Sequence, residues 1–252
     1  MAASYFITDT GRIRELNQDF AYRSDAGVGT LPNLYVVADG MGGHQAGDLA
    51  SRCAINSLVC FIRESGEKNP MRLLDSAFHH ANTEVLKAAS ERKEYYGMGT
   101  TMVAAAFLKR ELVVANVGDS RLYVWGEGRI RQITRDHSLV EEMVKAGTIT
   151  RLQARTHPEK NVITRAIGAE ESLRVDIFRL PIREGERILM CTDGLTNMLT
   201  DQEILSILET EGNMQARIQS LISAANRAGG KDNITALIAE PFSFCEEGVD
   251  CA

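Results

Sequence analysis

Leu34-Tyr35-Val36-Val37-Ala38-Asp39-Gly40-Met41-Gly42-Gly43 opens on five apolar residues in a row and closes on a carboxylate followed by three glycines in four positions. The run from Leu34 to Ala38 reads as a buried strand. Gly40, Gly42 and Gly43 let the backbone approach a ligand closely or adopt positive φ. A carbonyl beside the Asp39 carboxylate can then serve a hard cation. Taken alone, the stretch is equally a tight strand-to-helix turn with a solvated Asp. It is not a nucleotide loop, because it has neither G-x-G-x-x-G with a following ribose-binding acid nor a Gly-Lys-Ser/Thr ending.

Three more aspartates stand in similar short contexts: Asn17-Gln18-Asp19, Cys191-Thr192-Asp193-Gly194 and Lys231-Asp232-Asn233. Ile188 to Thr192, ahead of Asp193, reads as a second buried strand. Each context alone fits an ordinary turn. Their conjunction is more informative. Carboxylates brought together without a cation repel one another and raise each other's pKa. Mg²⁺ or Mn²⁺, which prefer oxygen ligands, removes that penalty.

The blocks around these motifs indicate the fold. Strands are expected near Tyr5–Thr8, Asp19–Arg23 and Leu34–Ala38. Helices follow at Ala46–Arg63, with Leu49, Cys53, Ile55, Val59 and Cys60 at helical spacing, and at Met71–Glu91. Then come strands at Thr100–Leu108, Leu112–Val117, Arg121–Trp125 and Arg129–Ile133, the last two flanking the hairpin turn Gly126-Glu127-Gly128. Ser138 with Glu141 resembles a capping box opening a helix to Lys145. From Gly147 to Asn161 periodicity disappears. Leu173–Leu180 and Arg187–Thr192 are strands, Asp201 caps a helix to about Leu208, Asn213 starts another to Arg227, and Ile234–Ala239 is a last strand. Strands and helices in blocks favour α+β with largely antiparallel sheets over a doubly wound parallel sheet.

The chain has 252 residues, 44% of them hydrophobic and 25% charged, which suits one large domain. A net charge of −6 argues against a nucleic-acid-binding face. Met102 to Leu108 is the longest apolar candidate and is far too short to span a membrane. The start, Met1-Ala2-Ala3-Ser4, does not read as a signal peptide or a myristoylation site, nor the end as a prenylation site. The five cysteines, Cys53, Cys60, Cys191, Cys245 and Cys251, lack Cys-x-x-Cys spacing and suit free thiols in a reducing cytoplasm. Cys53 and Cys60, seven apart, are expected on the buried face of their helix. A Cys245–Cys251 bridge is an alternative in the tail.

From about Ser4 to Glu240 the chain resembles the metal-dependent PPM family of serine/threonine protein phosphatases, also called the protein phosphatase 2C family, in its compact bacterial form. The resemblance runs through Thr8-Asp9-Thr10-Gly11 leading to Arg14, Asn17-Gln18-Asp19, Val37 to Gly43, and Met98-Gly99-Thr100-Thr101. It continues through Asn116-Val117-Gly118-Asp119-Ser120-Arg121, Asp136-His137-Ser138, Asn161 to Gly168, Thr192-Asp193-Gly194-Leu195 and Asp232-Asn233-Ile234-Thr235. It implies two stacked antiparallel β-sheets flanked by α-helices in one domain over 1–240; the tail over 241–252 lies beyond the last strand and is expected to be mobile. It implies that Asp39 bridges two Mn²⁺ or Mg²⁺ ions, that the Gly40 carbonyl binds one, and that Asp193 and Asp232 complete the other site. Asp19 would support the ions through water, and Asp119 with Asp193 would take a third, weaker ion. Arg14 would bind the phosphate, with Arg12 the nearby competitor.

The implied reaction is hydrolysis of phosphoserine or phosphothreonine by in-line attack of a water bridging the two ions, with no covalent intermediate. Two cations about 3.5–4 Å apart suit that chemistry, and the planar fork of Arg suits phosphate oxygens. None of the cysteines lies in a Cys-x5-Arg loop. Many eukaryotic members carry His where Met41 stands, which leaves the proton donor open between a metal-bound water, His44 and His157. The family places a mobile flap at 147–161, expected to help choose protein substrates. The expected partners are phosphorylated Ser/Thr proteins and a cognate Ser/Thr kinase, with the chain a cytoplasmic monomer. Competing readings are a catalytically inactive binding or signalling module and a phosphatase for small phosphoesters.

Overall fold

The computed structural model describes residues 2–43 and 46–241. Among these, β1 (Ala3–Asp9), β2 (Asp19–Ser24) and β3 (Leu34–Met41) precede α1 (Ala46–Glu64) and α2 (Pro70–Glu91). A second block holds β4 (Gly99–Thr100), β5 (Met102–Leu108), β6 (Glu111–Val117), β7 (Arg121–Gly126) and β8 (Arg129–Gln132). Then follow α3 (Leu139–Lys145), α4 (Arg151–Thr156), β9 (Asp176–Pro181), β10 (Arg187–Cys191), α5 (Asp193–Thr196), α6 (Asp201–Leu208), α7 (Met214–Arg227) and β11 (Ile234–Glu240). His44, Cys245, Cys251 and residues 242–252 lie outside the described residues.

One sheet runs β1-β11-β10-β7-β8 and the other β2-β3-β5-β6-β9, with β4 beside β3. The pairings within both sheets are antiparallel. The apolar runs explain the layering. In β3, Val36 and Ala38 pack with Ala54, Ile55, Leu58 and Phe78 of α1 and α2. The alternate residues Tyr35 and Val37 pack with Leu122, Ile188 and Leu237 of the facing sheet. The outer face of that second sheet, with Tyr123, Leu189 and Ile238, is covered by Ile204, Leu221 and Ala225 of α6 and α7. A strand with both faces covered needs apolar residues at every position, which is why Leu34 to Ala38 does not alternate. The result is a helix–sheet–sheet–helix sandwich, the expected α+β class.

Several local expectations change. Cys60 is exposed and Cys53 only partly buried. The buried stripe of α1 is Ala46, Gly47, Ala50, Ser51, Ala54, Ile55, Leu58, Val59 and Ile62. Small residues let this helix lie close to β3: a Cβ on Gly40 would sit 2.0 Å from the Gly47 carbonyl oxygen. The cysteines are turned to the edge of that contact. The segment 147–161 is not irregular throughout, because it contains α4, opened by a reciprocal capping box between Thr150 and Gln153. The cap of α6 is Thr200, with Glu203 reaching back, and not Asp201. Ser138 caps α3 through the Glu141 N–H. Thr101 breaks the expected long strand into β4 and β5, and β9 begins at Asp176, later than Leu173.

Candidate active site

β2 and β3 pair with Asp19 directly opposite Asp39. Like charges across a strand pair are destabilising unless something lies between them. The backbone of Asp39 is clamped by the Met98-Gly99-Thr100-Thr101 motif. Its N–H donates to Thr101 Oγ1 at 3.0 Å, and its carbonyl accepts from Thr100 Oγ1 at 2.8 Å and from the Thr101 N–H at 2.9 Å. Thr101 therefore leaves the β5 register in order to hold Asp39.

Asp193 and Asp232 come from the other sheet, at the same end of the sandwich. β10 and β11 pair antiparallel there, so the exit of β10 leads to Asp193 at the start of α5 beside Asp232, which enters β11. Gly194 is required at this crossing, since a Cβ on it would lie 1.9 Å from the Asn233 carbonyl oxygen. Asp119 follows β6 and is buried. Its neighbour Gly118 has φ +104, and a Cβ there would sit 2.5 Å from the Thr101 side chain.

Asp39, Gly40, Asp119, Asp193 and Asp232 line one cleft of about 220 Å³, together with Arg14, Met41 and Asn161. Asp19 lies behind them, 3% exposed. Its Oδ2 accepts from Thr192 Oγ1 at 2.9 Å and from Thr235 Oγ1 at 2.7 Å, while its buried Oδ1 has no partner. Burial pushes the Asp19 carboxyl up to about 7, against its threonine donors, with Asp193 and Asp232 adding to the rise. Burial also raises Asp39 well above the carboxylate range, helped by Asp19, Asp193, Asp119 and Asp232. Asp119 rises through burial and Asp193. Asp193 reaches about 6 through burial and Asp232, held back by a hydrogen bond with Asp39.

Such a cluster suits hard cations. An orphaned, buried carboxylate oxygen at its back suits a cation's water shell or the ion itself. Among the described residues, no group of three or more His, Cys, Asp and Glu side chains is spaced to hold a metal ion, so an ion in this cleft would need carbonyl oxygen and water among its ligands.

Arg14 reaches the rim, where Nη2 donates to Asp232 Oδ2 at 3.0 Å. The side chain stays half-exposed, and the rest of its donor fork is available to a phosphate. Arg12 is directed elsewhere, with Nε donating to the Asn226 carbonyl. His157 is the C-cap of α4, and its Nδ1 accepts from the Glu159 N–H at 3.2 Å. It does not line the cleft, and neither does any other described histidine.

Three supporting residues were not singled out by sequence reasoning. Asn233 accepts from the Gln18 N–H and donates to the Thr10 and Leu16 carbonyls, tying the Arg14 loop to Asp232. Its place beside Asp232 in a quoted motif was the available signal. His137 Nδ1 accepts from the Gly118 N–H at 3.0 Å, and its Nε2 lies 3.3 Å from Asp176 Oδ2. Accepting from Gly118 requires a bare Nδ1, which puts the neutral ring's proton on Nε2 toward Asp176; Arg165 Nη1, 3.0 Å from the same Nε2, then directs its hydrogens to Asp176 Oδ1 and the Arg174 carbonyl. Asp136 holds Arg121 bidentately, at 3.0 and 2.7 Å. These last two explain the Asp136-His137-Ser138 motif as a brace for the Asp119 turn.

The family model for Protein phosphatase 2C matches residues 12–237. The chain is 39% identical over 242 residues to the serine/threonine phosphatase stp of Listeria innocua, covering 93% of this chain and 94% of the relative. It superposes on the crystal structure of the serine/threonine phosphatase Stp1 from Staphylococcus aureus with a TM-score of 0.89, 34% identity and coverage of 96% and 95% of the two chains. The catalytic domain of the phosphatase PstP in complex with two manganese ions matches with a TM-score of 0.84, 31% identity and coverage of 95% and 97%. No helix of the described residues is long and apolar enough to cross a membrane. With its sandwich fold and its acidic cleft at the ends of both sheets, the chain belongs to the protein phosphatase 2C family, the PPM serine/threonine phosphatases, in their bacterial form.

Proposed function

We propose that this protein hydrolyses phosphoserine and phosphothreonine in proteins with two Mn²⁺ or Mg²⁺ ions held in the acidic cleft. The observation that carries this reading is the convergence of Asp39, Asp119, Asp193, Asp232 and Arg14 on one cleft. Asp39 would be shared by both ions, the Gly40 carbonyl would serve one, and Asp193 and Asp232 the other. Asp19, with one oxygen fixed by two threonines, would hold water for them. Asp119 and Asp193 would take a third, weaker ion. Bound there, the ions supply an activated water for in-line attack and neutralise the phosphoryl oxygens.

Arg14 binds and orients the phosphate with the part of its fork that Asp232 leaves free. Met41 lines the cleft as an apolar wall and cannot move a proton. No nucleophilic side chain is needed, in keeping with a Cys191 thiol that burial pushes up to about 12. Residues 1–240 would act as one domain, with 147–161 selecting protein substrates. A kinase that phosphorylates the same proteins is the implied counterpart, and the enzyme would work as a monomer. The free thiols Cys53, Cys60 and Cys191 support a cytoplasmic setting.

The test is phosphate release from a phosphothreonine peptide and from a small aryl phosphate, with Mn²⁺ and with EDTA, in wild type and Asp193→Ala. Metal-dependent turnover of the peptide that Asp193→Ala abolishes is the expected result. Turnover of the small ester alone would favour the small-phosphoester reading. No turnover with any divalent metal would favour the inactive binding module.

A further inference from the structure

Asn197 lies four residues beyond Asp193, and its Nδ2 donates to Asp193 Oδ2 at 2.8 Å. Its Oδ1 accepts from Lys160 Nζ at 3.2 Å. Lys160 belongs to the 147–161 segment, which therefore reaches Asp193 through one side chain. An Asn amide has one donor end and one acceptor end. Only one of its two orientations serves both neighbours. Reversed, its oxygen would face a carboxylate and its NH₂ an ammonium. Lys160 thereby selects the orientation in which Asn197 donates to Asp193.

A second contact from the same segment grips the far end of α5. Arg155 Nη2 lies 3.4 Å from the Thr196 carbonyl oxygen and 3.3 Å from that of Leu199. Carbonyls at a helix C-terminus lack partners within the helix and favour a cation. Arg155, Lys160, Asn197 and Asp193 also line a common cavity of about 450 Å³ that includes Asp119. The 147–161 segment is thus docked on the short helix that begins with Asp193.

We infer that Asn197 is a positioning residue for Asp193, and that Lys160 acts through it, so that docking of the 147–161 segment tightens ion binding in the cleft. The inference rests on the reading of Asp193 as an ion ligand. A carboxylate offers about four lone-pair sites, so one donated hydrogen bond orients it and leaves the remainder for an ion. Partners that orient a ligand in this way typically contribute about 10–100-fold in metal affinity.

The test is Mn²⁺ titration by calorimetry of the chelator-treated protein in wild type, Asn197→Ala, Lys160→Met, the double variant and Asp193→Asn. Asn197→Ala is expected to weaken the Mn²⁺ step that Asp193→Asn removes by about 10-fold or more. Lys160→Met is expected to weaken it in the same direction but less. The double variant should bind no more weakly than Asn197→Ala, because Lys160 works through the amide.

Tighter binding in Lys160→Met would overturn the inference, since that is what losing a nearby positive charge does by itself. An equal effect of Lys160→Met in the Asn197→Ala background, or wild-type affinity in Asn197→Ala, would also overturn it. Where Asp193→Asn leaves every Mn²⁺ step unchanged, the ligand reading itself fails. Where Asp193→Asn removes a step that Asn197→Ala preserves, only the present inference fails. Lys160 is only partly buried, so Lys160→Met keeps the comparison readable even if Asn197→Ala loosens α5.

Discussion

Arg14 and His137 illustrate how single side chains are set for their tasks by what surrounds them. Arg14 uses one N–H on Asp232 and keeps the rest of its fork. Arg14→Ala is expected to lower kcat/KM for phosphopeptides by about 10², the scale seen when one preorganised donor to a developing charge is lost. Arg14→Lys should recover only part, because an ammonium cannot bind two oxygens in one plane. His137 is held neutral: burial lowers its pKa below 6.5, and Arg165 adds to this against the opposing pull of Asp176. A histidine whose native pKa is depressed contributes stability that is present above the unfolded value and is lost as pH falls through the native one. Protonation also puts a hydrogen on Nδ1, where the Gly118 N–H already points. Urea midpoints at pH 7.5 and 5.5 should therefore fall more for wild type than for His137→Asn, whose amide oxygen can still accept from Gly118. Equal pH dependence in the two proteins would remove His137 from the account.

At the scale of elements, the site depends on backbone crossings that admit no side chain. α5 passes over Asn233 with room for hydrogen only at Gly194. Gly194→Ala would force α5 away from the start of β11 and separate Asp193 from Asp232. The expected cost is about 1–3 kcal/mol of stability, the range for overpacking, with a larger loss of Mn²⁺-dependent turnover. A melt with parallel kinetics checks this. Helix ends show where sequence patterns are ambiguous at this scale. Thr200 and Asp201 are adjacent cap-type residues, and the expectation fell on Asp201. Thr200 is the cap because Glu203 stands three residues on to complete the reciprocal pair, while Asp201 turns to accept from Tyr123 OH at 3.0 Å. In the same way, Thr150 and Gln153 form a capping box inside a stretch with no apolar periodicity. α4 has no buried residue, so the hydrophobic signal for a helix is missing and only the cap chemistry marks it.

The whole molecule is two sheets whose carboxylate-bearing ends meet. Asp19 and Asp39 come from one sheet, Asp193 and Asp232 from the other. Burial, with the neighbouring carboxylates adding to it, opposes ionisation and pushes Asp19 and Asp193 up to about 7 and about 6. An ion binding only the folded state stabilises it by mass action, about 2.7 kcal/mol at a concentration one hundred times its Kd. Mn²⁺ is therefore expected to raise the melting temperature of the chelator-treated protein, and the rise should shrink sharply in Asp39→Asn. A rise of the same size in Asp39→Asn would place the ion elsewhere.

Local chemistry in the sequence determined much of this protein. Uninterrupted apolar runs at Leu34–Ala38 and Ile188–Thr192 announce strands covered on both faces. The block order of elements announces antiparallel sheets, and the Asp-Gly and Asp-Asn contexts announce the acidic residues. These are properties of a few adjacent residues, and burial and turn geometry read them directly. Tertiary structure alone decided the rest. Which face of α1 is buried followed from the close approach of small residues to Gly40, so Cys60 points outward. Thr101 leaves its strand to clamp Asp39, 62 positions away. Asn233 ties down a loop more than 200 residues distant, and the hydrogen-bonded link from Lys160 to Asp193 runs through Asn197. Such partnerships depend on where separate segments meet when the two sheets stack, and no pattern within one segment carries that information.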